Sequence, residues 1–325
     1  MFLSIVFVVV GAALVLVGAD KLTDGSVGLA RRLAIPELVI GLTVVAFGTS
    51  LPEFVVSFFA SIEGAAAMSI GNIVGSNLFN TLMIVGCTAL VCPITVARST
   101  ISKDIPFSIL ASIVLAALAL DVYFGTGANV LDRGDGIALL GFFCVFMAYT
   151  FAIATSPTSP SGTATSAEGG AESAPEMPTW HIALYLLLGL AGLIGGGELF
   201  VQGATGIARS LGVSEAVIGL TLVAGGTSLP ELATSIMAAC KGQSGIAIGN
   251  VVGSNLFNVF WILGACSCVS PLPVQGIEWT DFAVLLLSGL LFWLFSRTQH
   301  RILRWEGALL VTVYVAYITY LIAGL

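Results

Sequence analysis

Charge is the scarcest commodity in this sequence. Only 9% of the 325 residues are Asp, Glu, Lys or Arg, against about 25% in an ordinary soluble domain. A chain so poor in charge cannot cover a water-facing surface, which excludes a soluble globular protein. Basic residues are also few: 11 Lys and Arg stand against 18 Asp and Glu, and no nucleic acid is expected as a partner. Histidine occurs only as His181 and His300. Without a His-Glu-x-x-His or Gly-x-Ser-x-Gly stretch there is nothing from which to build a hydrolytic centre, and no enzyme is expected. The six cysteines, Cys87, Cys92, Cys144, Cys240, Cys266 and Cys268, lie in or at the ends of apolar runs without Cys-x-x-Cys spacing. They read as small membrane residues, with neither a disulfide nor a zinc site expected.

What the chain has in abundance is apolar length. With 57% hydrophobic residues it contains ten runs of the roughly 20 residues needed to cross a hydrocarbon core. The expectation is an all-α integral membrane protein with helices at 2–20, 37–62, 69–93, 104–122, 134–154, 180–202, 215–240, 246–271, 280–296 and 303–324. The first carries no basic leader and no Ala-x-Ala exit, so it is not expected to be a cleaved signal, and its sequence also admits continuation past Lys21 as a long, tilted helix. Residues 155–179 are rich in Ser, Thr, Pro, Gly and acid, a composition that cannot bury a core. They divide the chain into a first five-helix unit (1–154), a flexible acidic linker (155–179) and a second five-helix unit (180–325).

The two units repeat one another at an offset of 178. Asp20 falls on Glu198, Ala30-Arg31 on Ala208-Arg209, and Glu53 on Glu231. Over 41–80 against 219–258, roughly 24 of 40 positions are identical without a gap, a strong repeat signal of the kind transporters carry. Five helices is an odd number, so the second unit must enter the membrane upside down. With the N-terminus outside, Lys21, Arg31, Arg32, Arg98, Lys103, Lys241, Arg297, Arg301 and Arg304 fall on the cytoplasmic side, leaving Arg133 and Arg209 outside. The positive-inside rule therefore selects a multi-pass protein of the cytoplasmic (inner) membrane with its N-terminus outside and its linker inside.

Each repeat places an acid in membrane-grade sequence: Gly41-Leu-Thr-Val-Val-Ala-Phe-Gly-Thr-Ser-Leu-Pro-Glu53 and Gly219-Leu-Thr-Leu-Val-Ala-Gly-Gly-Thr-Ser-Leu-Pro-Glu231. A carboxylate at a bilayer centre costs at least about 2.5–3.5 kcal/mol, so its presence points to function. Helical spacing aligns Ala46, Thr49, Ser50 and Glu53 on one face, and Ala224, Thr227, Ser228 and Glu231 on another. Pro52 and Pro230 free backbone oxygens about one turn back, near Gly48 and Gly226, while Gly41, Gly48, Gly219, Gly225 and Gly226 admit close helix approach. Asn72, Ser76 and Asn80, matched by Asn250, Ser254 and Asn258, add a second pair of polar stripes. Every group offered is a hard oxygen, which suits Ca²⁺ or Na⁺ and not zinc or copper.

Blander roles suit other residues. Asn72, Asn77, Asn250 and Asn255 are the kind that glue membrane helices together. Asp20 and Glu198 read as helix-end or interface charges, with a place in an ion vestibule as the alternative, the Arg297–Arg304 stretch with His300 as a positive anchor, and Trp180, Trp279 and Trp305 as interfacial belt residues.

The paired Gly-Thr-Ser-Leu-Pro-Glu and Gly-Asn-x-x-Gly-Ser-Asn-x-Phe-Asn motifs resemble the two α-repeats of the Ca²⁺/cation antiporter superfamily, in its sodium/calcium exchanger branch. The resemblance implies ten helices in two inverted repeats, a central site on helices two, three, seven and eight, and long helices one and six that slide against that core. Carried over by motif position, it implies ion ligands on Thr49, Ser50, Glu53, Ser76, Asn80 and the main-chain oxygen of Ala46, with Thr227, Ser228, Glu231, Ser254, Asn258 and the main-chain oxygen of Ala224 opposite. Ca²⁺ and Na⁺ are then substrates, the lipid bilayer is the surroundings, no cofactor is called for, and a monomer suffices. Potassium-dependent members carry Asp where this chain has Asn258, which argues against potassium co-transport. Proton-coupled members typically place Glu beside His, which neither repeat does. A Ca²⁺/H⁺ or potassium-dependent exchanger is the alternative within transport. A channel is the alternative outside it, disfavoured because channels build their pores from parallel subunits or repeats.

Overall fold

The computed structural model describes residues 1–63, 66–124, 128–155, 177–211 and 224–323. Long helices account for most of them: α1 (Phe2–Leu33), α2 (Glu37–Thr49), α3 (Leu51–Ile62), α4 (Met68–Val91), α5 (Thr100–Ala119), α6 (Arg133–Thr155), α7 (Thr179–Ser210), α8 (Leu229–Cys240), α9 (Ser244–Val269), α10 (Trp279–Arg297) and α11 (Arg304–Ala323). Among the described residues eight are long and apolar enough to cross a membrane, and the bent pair α2–α3 raises the number to nine when its two halves are counted as one span. The expected span 215–240 is represented by its second half alone, a helical turn at Ala224–Gly226 followed by α8; its beginning, with Gly219, lies outside the described residues, as does nearly all of the linker.

Two expected boundaries move. The first helix takes the long option and runs to Leu33, because Asp20 and Asp24 do not end it: both bind the Lys241 ammonium at 2.6 Å. It stops at Ala34, whose left-handed backbone (φ 52°) lets its N–H reach the carbonyls of Ala30 and Arg31, with Arg31 and Arg32 against the negative end of the helix dipole. The sixth expected helix likewise extends to Ser210. These two 32-residue helices pack along each other through glycines. A Cβ on Gly18 would sit 2.7 Å from the Leu193 nitrogen, and one on Gly196 would sit 2.8 Å from the Val15 nitrogen, so only hydrogen fits at either crossing.

Centrally, α9 is wrapped by α2, α3, α4, α6 and α8. Here too main chain meets main chain, with a Cβ on Gly249 falling 2.8 Å from the Leu38 carbonyl oxygen. Short antiparallel strand pairs tie the helix connections together: Ile94–Thr95 with Arg301–Ile302, and Val130–Leu131 with Leu272–Pro273. Each joins a connection of the first unit to one of the second.

The cysteine expectation is corrected. Cys92, just past the end of α4, is disulfide-bonded to Cys240 at the end of α8, their Cα atoms 5.6 Å apart, while Cys87, Cys144, Cys266 and Cys268 are free. The two are separated by 148 residues, and no local spacing could have announced a pair that only helix packing brings together.

Candidate functional site

The site begins with a break. Ser50 leaves helical geometry (φ −83°, ψ 5°) between α2 and α3, and the two halves meet at a 48° bend. Pro52 sits in the first turn of α3, where its missing N–H costs nothing but leaves the Gly48 carbonyl without its usual donor. Ser228 (φ −93°, ψ 9°) and Pro230 repeat the arrangement before α8. The Ala46 carbonyl, expected as a ligand, accepts from the Ser50 N–H at 3.0 Å.

Both acids are 1% exposed, and each is approached from the other repeat. Ser228 Oγ donates to Glu53 Oε1 at 2.8 Å and Ser50 Oγ donates to Glu231 Oε1 at 3.2 Å. Thr49 Oγ1 donates to Asn250 Oδ1 at 3.1 Å. Each acid thus accepts from the serine three residues before the other acid. Ser76 and Asn80 on α4 and Ser254 and Asn258 on α9 are buried as well.

Twelve buried side-chain oxygens in the described residues lack a hydrogen-bond partner. Six come in pairs at the repeat offset: Glu53 Oε2 with Glu231 Oε2, Ser76 Oγ with Ser254 Oγ, and Asn80 Oδ1 with Asn258 Oδ1. The other six, on Ser26, Ser69, Thr88, Asp104, Thr205 and Thr234, form no such pairs. A buried acceptor left unmade costs about 1–3 kcal/mol, and nothing structural would duplicate that cost three times over. Among the described residues there is no group of three or more His, Cys, Asp or Glu, so a cation bound here would be held mainly by neutral oxygens around two acids.

Sequence reasoning missed several parts of this arrangement. Asn72 Nδ2 donates to Ser57 Oγ at 3.0 Å and Asn250 Nδ2 to Ser235 Oγ at 3.0 Å, while reaching the Glu53 and Glu231 carbonyls at 3.5 and 3.2 Å. Ser57 and Ser235 were legible as one more identical pair, one turn past each acid. The backbone also widens into π-helical turns at Phe79–Ile84 and Phe257–Leu263, carrying Asn80 and Asn258; such bulges are frequent at functional sites. Of the charges expected at helix ends or interfaces, Asp20 joins α1 to α8 through Lys241, whereas Glu198 accepts only from its helical neighbour Gln202 at 3.2 Å in the described contacts. Trp180, Trp279 and Trp305 are well exposed at helix starts, as belt residues should be.

Fold and site together define a multi-pass, all-α membrane protein with duplicated acidic half-sites. The family model described as sodium/calcium exchanger protein matches residues 3–152 and 181–323, and the chain belongs to that family of transporters. It is 31% identical to the sodium/calcium exchanger MaX1 of Methanosarcina acetivorans over 98% of both chains. It is 35% identical to the inner membrane protein YrbG of Escherichia coli over 90% of this chain and 88% of that one. Among solved structures it resembles the sodium-calcium exchanger NCX_Mj, soaked with zero Na⁺ and Ca²⁺, at 34% identity and a TM-score of 0.81, covering 98% of this chain and 99% of that one.

Proposed function

We propose that this protein exports Ca²⁺ in exchange for Na⁺ by alternating access to one midplane site. The observation that carries this is the three offset-matched pairs of unpartnered oxygens on Glu53, Ser76, Asn80, Glu231, Ser254 and Asn258. Thr49, Ser50, Thr227, Ser228 and the main-chain oxygens of Ala46 and Ala224 complete the ligand set. Ten spans in two inverted five-helix units, 1–154 and 180–325, surround it, with the 155–179 linker and the basic loops in the cytoplasm and the N-terminus outside. The unit is a monomer in the inner membrane, and the ions are cargo, with no cofactor invoked.

Gradients set the stoichiometry. Export against a ~10⁴-fold Ca²⁺ gradient, at ~1.4 kcal/mol per tenfold, plus two charges moved against ~100 mV at ~2.3 kcal/mol each, costs about 10 kcal/mol. One Na⁺ entering down a ~tenfold gradient and the same potential releases about 3.7 kcal/mol. Two supply about 7.4 and three about 11, so at least three Na⁺ enter and transport is electrogenic. Three Na⁺ between two carboxylates leave excess positive charge, which the neutral oxygens solvate.

Uptake and release of ⁴⁵Ca²⁺ in proteoliposomes, with Na⁺, K⁺ and H⁺ gradients imposed separately, tests the reading. Sodium-driven flux accelerated by a potential negative on the side Ca²⁺ leaves is expected. Flux driven by a pH gradient in sodium-free medium, or a requirement for K⁺, would replace it with the corresponding alternative.

A further inference from the structure

Asn80 and Asn258 present a chemical difficulty as cation ligands. A primary amide has an accepting end and a donating end of nearly equal shape, and an amide turned the wrong way would offer a cation N–H groups. Something must hold Oδ1 inward.

The structure contains such a device. Asn258 Nδ2 donates to Asn77 Oδ1 at 3.0 Å, and Asn80 Nδ2 donates to Asn255 Oδ1 at 3.1 Å. Turning Asn258 over would set its oxygen against the Asn77 oxygen, and turning Asn80 over would do the same against Asn255. Asn77 cannot turn either, because its Nδ2 donates at 3.2 Å to the Asn255 main-chain carbonyl, which can only accept. Asn255 Nδ2 donates to Thr81 Oγ1 at 2.9 Å, a weaker lock, since a hydroxyl can also donate. All four amides and Thr81 are buried, where reversing a hydrogen bond cannot be made good by water. The two halves anchor differently because the offset partner of Thr81 is Val259, which has no hydroxyl.

We propose that Asn77 and Asn255 are positioning residues that fix Asn258 and Asn80 with their carbonyl ends toward the ion. Neither contacts cargo; each acts through a ligand amide of the opposite repeat. This rests on the exchanger reading, since it assigns the inward oxygens to ions, and it gives the Asn of each Gly-Ser-Asn stretch a role other than helix packing.

A carboxylate needs no such guidance, because both of its ends are oxygen. The test is therefore Asn77→Leu made in the unaltered protein and again in an Asn258→Asp background, with Ca²⁺-dependent thermal shifts of the purified full chain and ⁴⁵Ca²⁺ flux as readouts. In the unaltered background Asn77→Leu is expected to weaken apparent Ca²⁺ affinity about tenfold, the scale of one net hydrogen bond, with maximal flux changed less than about threefold. In the Asn258→Asp background the same change should leave affinity within about twofold, or improve it by removing an oxygen that faces the new carboxylate. Should Asn77→Leu fail to fold, Asn255→Leu with and without Asn80→Asp applies the same logic to the other half. Equal losses in both backgrounds would overturn the inference and return Asn77 and Asn255 to packing. An unaltered protein whose melting and flux respond to neither Ca²⁺ nor Na⁺ would overturn the exchanger reading as well.

Discussion

Helices α1 and α9 are both apolar and both long, yet they occupy opposite situations. In α9, 94% of the membrane-crossing stretch is buried, whereas in α1 only 22% is, although α1 is the more apolar of the two. In water the order would be reversed. Lipid is as apolar as leucine, so hydrophobicity marks the helices that face it, and the interior is left to residues that pack backbone to backbone or bond across helices. That is why α9 reads Gly-Asn-Val-Val-Gly-Ser-Asn through its middle. The α1–α7 pair is different again: each is 22% buried, so the two pack on one another through their glycines and leave most of their surface to lipid. The contrast separates a dense, polar centre from a long antiparallel pair laid against it.

The largest effect should come from the centre. Glu53→Gln and Glu231→Gln each keep size and hydrogen bonding but remove a unit charge, worth on the order of 4 kcal/mol per ion charge at 4 Å in an effective dielectric of 20. Ca²⁺ flux should fall ~1000-fold or more while gel filtration and melting stay near normal; ordinary flux in either variant would place the ions elsewhere.

At the outer pair the expected order of symptoms reverses. Gly18→Leu forces a side chain into main chain on α7, and overpacking of that sort costs about 1–3 kcal/mol. Melting should drop and flux should fall ~10-fold or more, while Ca²⁺ affinity of the folded fraction stays within about twofold. Affinity lost in step with flux would mean that the pair and the centre behave as one body.

Between the two regions stands Lys241, which bridges from the end of α8 to Asp20 and Asp24 on α1. These groups are about a third exposed, so the link contributes no more than about 1 kcal/mol. Lys241→Ala should change the balance between inward- and outward-open forms by up to about fivefold, read from thiol labelling of cysteines placed on either side. No change in labelling would show that the link survives in both forms.

Smallest of all should be removal of residues 158–176. A chain too polar to pack has only to span from α6 to α7, and exchange should stay within about twofold. A well-folded deletion without flux would show that the linker gates transport.

What the sequence disclosed follows the same division. Glu53 and Glu231 were conspicuous because a carboxylate among apolar residues has no innocent explanation, and their duplication fixed which neighbours to suspect. The glycine and proline positions announced close crossings and the broken helices. Less visible were the wide turns at Asn80 and Asn258, since Phe79–Ile84 and Phe257–Leu263 contain no Gly or Pro and look like any membrane helix. The long reach of α1 was obscured for a physical reason: Asp20, Lys21 and Asp24 resemble the end of a span until Lys241, 221 residues from Asp20, is placed beside them. Ser57 and Ser235 were overlooked because serine is commonplace between membrane helices, and only its partner amide gives it significance.

The pairing of Cys92 with Cys240, close enough to bond in the structure yet open to reduction in a cell, also acts as a compass. Both residues lie beside Lys241 and the first strand pair, on the face that the proposed orientation puts in the cytoplasm, where glutathione-type thiols keep such pairs reduced. The same two sulfurs on the outer face would be held oxidised. Maleimide mass-tagging of intact cells quenched in acid should therefore find Cys92 and Cys240 as free thiols that close into a disulfide once membranes are exposed to a small-molecule disulfide oxidant, each bond formed releasing two equivalents of the reduced thiol. Thiols found already closed in the cell would turn the whole molecule over in the membrane, so a redox state read at two atoms reports the direction in which all of its helices point.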